Sequence, residues 1–481
     1  MEQVIKIINS VLWSNVFILL CLSAGLFFTI KTRFVQIRYV REMIKLLFTE
    51  GSSEKGVSPF QAFSIAIAGR VGVGNIVGVA TAIAYGGPGA IFWMWMIAFL
   101  GSASAFVEST LAQIYKEEKN GHYCGGPAFY IEKGLNNKKL ALFFAGLTII
   151  SCTLFLPSIQ GNSIAISIKD AFAVPPWITG LAICVLLSLT VFGGTKKIGR
   201  IAQIVVPFMA TVYIIMAVII IAINAKEIPS IFALIFRSAF NLEATFSGIF
   251  GAAIAWGVKR GIYSNEAGQG TAPHAAAASE TSHPVKQGLV QAFSVYIDTL
   301  FVCTATALMI LFTHQYNVVD EAGHYIIQNI PGVEPGSAYT VKAIGVHFPL
   351  FASQFIAIAL TFFAFTTLMA YVFIAESNFN YLTSKPKLIL RWTMRLTLLV
   401  TVFYASINKS SLAWGIGDIG VGLMAWINFI VILLLHKPAI IALHDYMAQL
   451  KQGINPIFDP QKLNIKNAST IWQRLLKERR S

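Results

Sequence analysis

The sequence has little charge: Asp, Glu, Lys and Arg make up 12% of its 481 residues, against 56% hydrophobic residues. Soluble domains carry about 25% charged residues, so a soluble multidomain enzyme is excluded. Walker-type phosphate loops, nucleophile elbows, HExxH helices and metal-spaced Cys/His clusters are absent. Their absence argues against ATP-driven transport within this chain and against hydrolase chemistry. The five cysteines, Cys21, Cys124, Cys152, Cys184 and Cys303, show neither redox nor ligand spacing and read as small core residues.

Long apolar runs stand in place of charge. They come in blocks of about twenty residues, the length that crosses ~30 Å of hydrocarbon at ~1.5 Å per residue. The first, 11–30, is longer than the ~7–15 residues of a signal-peptide core and reads as a retained helix. Eleven spans are predicted, at 11–30, 60–86, 89–115, 140–168, 177–193, 201–224, 245–263, 287–313, 345–376, 392–407 and 412–436. The expected fold class is therefore an all-α polytopic membrane protein, with residues 1–436 as one transmembrane domain and 437–481 as a cytoplasmic tail.

A net charge of +14 could point to nucleic acid, but no basic face interleaved with aromatics is present. The cations report topology instead. With the N-terminus outside, six Lys and Arg fall in outer segments (Lys6, Lys169, Lys226, Arg237, Lys342, Lys409) and Arg70 lies within a span. The rest are expected inside, among them Lys55, Lys196, Lys259, Arg260, Lys286, Lys385 and Lys387, which predicts a cytoplasmic C-terminus. The tail alternates basic and apolar residues, as in IWQRLLKERR, and is expected either on an anionic leaflet or in solvent.

Glycine is concentrated in two spans. Span 2 holds Gly69, Gly72, Gly74 and Gly78; span 7 holds Gly248, Gly251, Gly257 and Gly261. Small-xxx-small packing accounts for either one alone. Their separation by five spans makes them antiparallel, so spans 2–6 and 7–11 can be inverted repeats with one extra N-terminal helix. Glycine-interrupted segments at matching positions of two such halves point to a midplane binding site. A break there offers amides to a carboxylate at one half-helix start and carbonyls to ammonium or Na⁺ at the other half-helix end.

Three stretches carry a resemblance: FQAFSIAIAGRVGVGNIVGVATAIAYGGPGAIFWMWMIAFLG (60–101), GGPAFYIEKGL (125–135) and WGVKRGIYSNEAGQGTAP (256–273). In these the chain resembles the alanine or glycine:cation symporter family of bacterial and archaeal amino-acid carriers, and the likeness covers nearly the whole sequence. It implies a LeuT-type fold in which spans 2 and 7 are unwound, and Na⁺-coupled import of a small neutral amino acid, alanine (D-alanine included) or glycine, across a bacterial inner membrane. The only cofactor implied is the co-transported Na⁺, and the only partners are substrate and lipid bilayer. A glutamine-type or proton-coupled carrier of the same fold is the alternative. A sensor built on the fold is disfavoured by the short tail.

The resemblance implies substrate contacts from Val73, Gly74, Asn75, Gln160, Trp256 and Gly257. It departs from the family pattern at Val73, where a threonine hydroxyl is usual. By fold analogy the Ala68 and Val71 carbonyls and the Thr366 and Thr367 hydroxyls form a sodium site. Plainer roles compete at each position: interhelical bonding for Asn75, relief of the Pro157 kink for Gln160, packing for Trp256, and back-bonding for the threonines. An unpaired Arg70 would cost ~2.5–3.5 kcal/mol at this depth, so a partner is expected, with Glu108 and Asp298 as the candidates. Either carboxylate could instead couple protons. Asn265, Glu266 and Gly268 are expected just past span 7 as a cytoplasmic gate or a helix cap.

Overall fold

The computed structural model describes residues 2–48, 56–191, 194–320, 322–383 and 388–480. Lys55, Lys385, Lys387 and the end of span 5 at 192–193 lie outside these, as does the side chain of Lys196. Among the described residues eight helices are long and apolar enough to cross a membrane, and two shorter apolar helices, Val77–Gly86 and Pro176–Thr190, accompany them.

In chain order the main helices are α1 (Glu2–Leu12), α2 (Asn15–Lys31), α3 (Pro59–Arg70), α4 (Val77–Gly86), α5 (Gly89–Ile114), α6 (Lys138–Ile150), α7 (Leu156–Phe172), α8 (Pro176–Val191) and α9 (Gly194–Ile223). Then come α10 (Ile228–Ala239), α11 (Phe250–Asn265), α12 (Pro273–Ala278), α13 (Pro284–Tyr296), α14 (Thr304–Phe312), α15 (Ala352–Leu382), α16 (Leu388–Ser406), α17 (Ser410–Lys451) and α18 (Ile471–Arg480). π-helical turns at Ser151–Phe155 and Ile297–Cys303 join α6 to α7 and α13 to α14. Such turns often mark functional positions.

Polarity is arranged for lipid. Large apolar side chains stand exposed on α8 (Leu181, Val185, Leu189), α9 (Ile204, Phe208, Ile215) and α16 (Leu396, Val400, Tyr404). Arg70, Glu108, Arg260, Asp298 and Asp418 are buried. A soluble protein of this size would not leave so much apolar surface uncovered. The buried centre is formed by α5 packed along α11 and α13, and by α7 against α15 and α16.

Local chemistry sets the helix ends. Ser58 opens α3 with a capping box, its Oγ accepting from Gln61 N (3.1 Å) while Ser58 N donates to Gln61 Oε1 (3.2 Å), and Pro59 fills the first helical position. Asn120 and Gly121, both at positive φ (52° and 77°), form the two-residue turn of a hairpin between β1 (Glu117–Lys119) and β2 (His122–Cys124). The periodicity of a membrane chain gives no sign of so short a hairpin.

Four features differ from the sequence-based expectation. Residues taken for an outer loop after span 6 fold into α10, whose Phe232 and Phe236 pack on Trp95 of α5, with ring centroids 6.1 and 6.3 Å away. The glycine-rich segment of span 7 is not broken, since α11 runs unbroken through Gly251, Gly257 and Gly261. A Cβ on Gly257 would lie 2.5 Å from Ala90 O, so this glycine lets α11 approach α5 and is a packing residue. Lys259 and Arg260, expected in a cytoplasmic segment, lie within α11.

The fourth difference concerns the tail. Span 11 continues as α17 to Lys451, so the boundary set at 436 falls inside a helix. The chain then folds back across one end of the bundle. Phe458 N donates to Ser282 O (3.0 Å), Ser469 N to Ile114 O (3.0 Å), and the buried Trp472 donates to Gln113 O (3.2 Å). Lys116 sits 4.9 Å above the Trp472 ring and bonds Ser279 O (3.0 Å). The tail is thus packed on the helical bundle.

His283 lies beneath this strap, 5.3 Å from the Phe458 ring and 3.3 Å from Asp445 Oδ2. Burial pushes its imidazole down from the ordinary 6.5 to about 4. A base with a lowered folded pKa contributes docking stability above its free value that is lost as pH falls toward its folded value. The strap is expected to loosen as pH drops from about 6.5 to about 4, read as faster limited proteolysis after residue 451, and His283→Gln should flatten that dependence. Trp472→Ala should release the strap at neutral pH, at a cost of ~3–5 kcal/mol for a buried tryptophan.

Candidate functional site

α3 ends because its backbone turns aside at Val71, and the chain resumes as α4 only at Val77. Between them Val73–Asn75 form one 3₁₀ turn. Gly72 is extended, and a Cβ there would sit 2.6 Å from Thr367 Oγ1, so only glycine allows α15 to come this close.

Side chains replace the lost helical hydrogen bonds. Gly72 N donates to Asn75 Oδ1 (2.8 Å), Val73 N to Gln160 Oε1 (3.3 Å), Thr306 Oγ1 to Asn75 O (2.6 Å) and Thr367 Oγ1 to Ala68 O (2.8 Å). Among the described residues, the groups left over at the break include the Gly69, Val71 and Gly74 carbonyls and the amides of Gly74, Val77, Gly78 and Val79, which take no hydrogen bond. Buried backbone groups are nearly always paired, so this remainder of donors and acceptors suits a ligand with both charges.

The expected substrate residues divide. Val73, Gly74 and Asn75 form the break itself, and Gln160 reaches it from α7, one turn past Pro157. Asn75 also donates to Asp298 Oδ1 (2.6 Å) in the π turn of the α13–α14 helix. Trp256 stands above, stacked on Tyr85 at 4.8 Å, in the wall of a cavity of about 750 Å³. Gly257 faces Ala90 and Trp93 of α5.

The expected sodium set divides too. Ala68, Val71 and Thr367 meet at the break, whereas Thr366 Oγ1 back-bonds to Phe362 O and Phe363 O (both 3.0 Å) and faces Met209. Carbonyl and hydroxyl oxygens are the donors a hard monovalent cation prefers, and no group of three or more His, Cys, Asp or Glu with metal-holding geometry occurs among the described residues.

Beneath the break lies a polar layer. Arg70 Nε donates to Asn265 O (2.6 Å), Nη1 to Gln291 O (3.3 Å) and to Ser294 Oγ. Neither expected partner forms an ion pair with it. Glu108 accepts instead from Gly268 N (3.1 Å) and Asn428 Nδ2 (2.8 Å), and Asp298 from Asn75, Ser264 (3.1 Å) and Thr299 (2.7 Å). Glu266, Glu108 and Asp298 compensate Arg70 through space.

Asn265 and Glu266 lie against the end of α3, where Arg70 Nε donates to Asn265 O. α11 ends at this level, Glu266 turns left-handed (φ 54°), and 266–272 runs irregularly beside the α3 end before α12 begins. The interruption after α11 therefore lies past its glycines, next to the first break. Ser264, Thr306, Asn428 and Asp418 also escaped the sequence reading. Asp418 carried a usable signal, an acid inside an apolar span.

Across residues 1–460 the chain matches the model of the sodium:alanine symporter family. The Bacillus subtilis protein YrbD, provisionally named a sodium/proton-dependent alanine carrier, is 55% identical over 477 residues, 98% of each chain. The sodium/proton-dependent alanine carrier protein of Bacillus sp. PS3 is 51% identical over 433 residues, 90% of this chain and 97% of that one. Among solved structures, a mutant form of the manganese transporter of Eremococcus coleocola superposes with TM-score 0.52 at 11% identity, over 86% of this chain and 90% of that one, a likeness of fold. The family is one of membrane transporters and not of enzymes. By its matched length, its interrupted helix and its lipid-facing exterior, this multi-pass membrane protein belongs to the sodium:alanine symporter family.

Proposed function

We propose that the chain is a secondary symporter that imports a small neutral amino acid, alanine or glycine, with Na⁺. The observation that carries this reading is the break at 71–76, which leaves the Gly74 amide and Val71 carbonyl unpaired and packs its Gly72 against the Thr367 hydroxyl that bonds Ala68 O. On this reading the substrate carboxylate takes the Gly74 amide and the start of α4, where the helix dipole favours an anion. Na⁺ takes the Ala68 and Val71 carbonyls with Thr367. Gln160 releases Val73 N and turns to the substrate, and Trp256 closes over it, excluding large side chains.

The proposed architecture is the LeuT-type arrangement of eleven spans, the second split as α3 and α4, with spans 2–6 and 7–11 inverted about the midplane. The N-terminus is placed outside and the C-terminus in the cytoplasm. The cavity bounded by Glu334–Ala338 and Ser410 then opens outward, and the strapped face is the cytoplasmic one. Transport follows when substrate and Na⁺ together favour closure of the outer cavity and opening of the strapped side, each ligand tightening the other by linkage.

A second reading has its own support. Asp298 is buried and bonded to Asn75 at the break, and relatives are named for both sodium and proton. Asp298 would then carry a proton in exchange with Na⁺.

Purified protein in liposomes is expected to accumulate radiolabelled alanine only with an inward Na⁺ gradient. Accumulation indifferent to Na⁺ but driven by a pH gradient, and abolished in Asp298→Asn, would shift the reading to proton coupling. Thr367→Ala should raise the Na⁺ concentration for half-maximal uptake by about ten- to a hundredfold, as expected for one lost ligand of ~1.5–3 kcal/mol, with Thr366→Ala near wild type. Asn75→Ala and Gln160→Ala should weaken alanine binding while leaving the protein monodisperse. Wild-type affinity in both would remove these residues from the site.

A further inference from the structure

At the floor of the outer cavity two cations share one carboxylate. Arg260 Nη1 lies 2.9 Å from Asp418 Oδ1, and Lys259 Nζ 2.6 Å from Asp418 Oδ2. Trp13 Nε1 donates to the Asp418 carbonyl (3.1 Å), so α1–α2, α11 and α17 converge here. The guanidinium is sandwiched by aromatic rings, 4.6 Å from Trp414 and 5.1 Å from Trp256. Arg260 is 4% exposed, yet its Nε has no hydrogen-bond partner.

The cluster therefore carries one positive charge that no carboxylate in it balances. Arg260 donates Nη1 and Nη2 to Asp418 (2.9 and 3.5 Å), and its unpaired Nε, on a residue that lines the cavity, is a donor in want of an acceptor. Arg260 also lies over the start of α4: a Cβ on Gly78 would be 3.8 Å from Arg260 Cδ, and Val77 lines the same cavity. The first amides of that ten-residue helix add their dipole to the same point. The other ionisable groups lining the cavity, Lys6, Asp170 and Glu334, come from other segments: the N-terminal helix, the end of α7 and the loop after α14.

We propose that this floor is a carboxylate-binding subsite, built on Arg260 between Trp256 and Trp414, that holds an amino acid before the break in span 2 receives it. The cavity above has room for about 750 Å³, so the subsite reads the α-carboxylate and is indifferent to side-chain size. Selection for small side chains is left to the next step. The natural ligand rests on the amino-acid carrier reading, whereas the carboxylate preference rests on the cluster alone.

The test is calorimetric titration of the purified full-length protein in Na⁺-free buffer, with propionate, leucine and ethylamine as probes. Propionate and leucine should bind and ethylamine should not. Arg260→Gln should weaken both by at least about tenfold, the scale of one charge-assisted bidentate contact. Lys259 still pairs Asp418 in that variant, which keeps the acid from being orphaned. Arg260→Lys, which keeps charge but not the fork, should lose affinity by several-fold and serves if the glutamine variant fails to fold. Thr367→Ala should leave propionate binding unchanged. Equal binding of ethylamine, or undiminished propionate binding in Arg260→Gln and Arg260→Lys, would overturn the subsite. Failure of Na⁺-driven uptake with intact propionate binding would overturn the transport reading and spare this one.

Discussion

Hydrocarbon offers no hydrogen bonds, so a chain that breaks a helix within a membrane must supply partners for every freed backbone group. That constraint organises this structure around residues 71–76. Four polar side chains from three separate helices and from the break itself converge there: Gln160, Thr306, Thr367 and Asn75. Each is buried, and each bonds main chain. Their helices are held in place by the requirement to meet it. The π turns at Ile297–Cys303 and Ser151–Phe155 belong to the same helices, α13–α14 and α6–α7, that deliver Asp298, Thr306 and Gln160.

The second layer follows from the first. Arg70 ends α3 and is buried, so its charge needs acceptors at the depth where the helix stops. It finds them at the carbonyl of Asn265, where α11 also stops. Helix C-termini expose carbonyls that attract cations, so one helix end solves the desolvation problem of the other. This capping of α11 by Arg70 brings the two interruptions side by side without a direct ion pair. It also explains why Glu108 is free to tie Gly268 to Asn428, and Asp298 to tie Asn75 to Ser264 and Thr299.

How much of this the sequence disclosed depends on the kind of signal. The membrane-crossing helical character was legible from apolar length, and the first break from the density of glycine about Val73, because both are local properties. The second interruption was misplaced by several residues. Gly257 and Gly261 look like breakers in sequence but serve the close approach of α11 to α5, and the actual turn uses Glu266, a residue with no propensity to advertise it. Counting charges by loop misled at Lys259 and Arg260, which lie within α11 and pair Asp418, since a cation next to a span end and one paired inside a span are the same letters. Thr366 and Thr367 are indistinguishable as a dipeptide. Only the direction of each side chain on α15 separates them, one toward Met209 and one toward Ala68. The strap rests on Trp472, more than three hundred residues from its acceptors on α5, a distance no local pattern spans.

The layout gives a physical reason for selectivity to be divided between two depths. At the cavity floor, Arg260 presents an unmet donor between flat aromatic walls, with open volume above; such a place can hold a carboxylate but has nothing to measure a side chain against. At the break, by contrast, Gly74 lies against Tyr263, a Cβ there meeting the ring at 3.0 Å, and Gln160 and Thr367 crowd the same backbone, so any ligand must fit between groups that are already in contact. Tight packing discriminates by size, whereas an incompletely paired charge in a cavity wall discriminates by charge. On the proposed reading, placing charge first and size second lets the upper position concentrate zwitterions without rejecting them, and confines the steric test to the position where Na⁺ is also bound. A side chain too large for the lower position would then stop at the floor, acting as an inhibitor and not as a substrate.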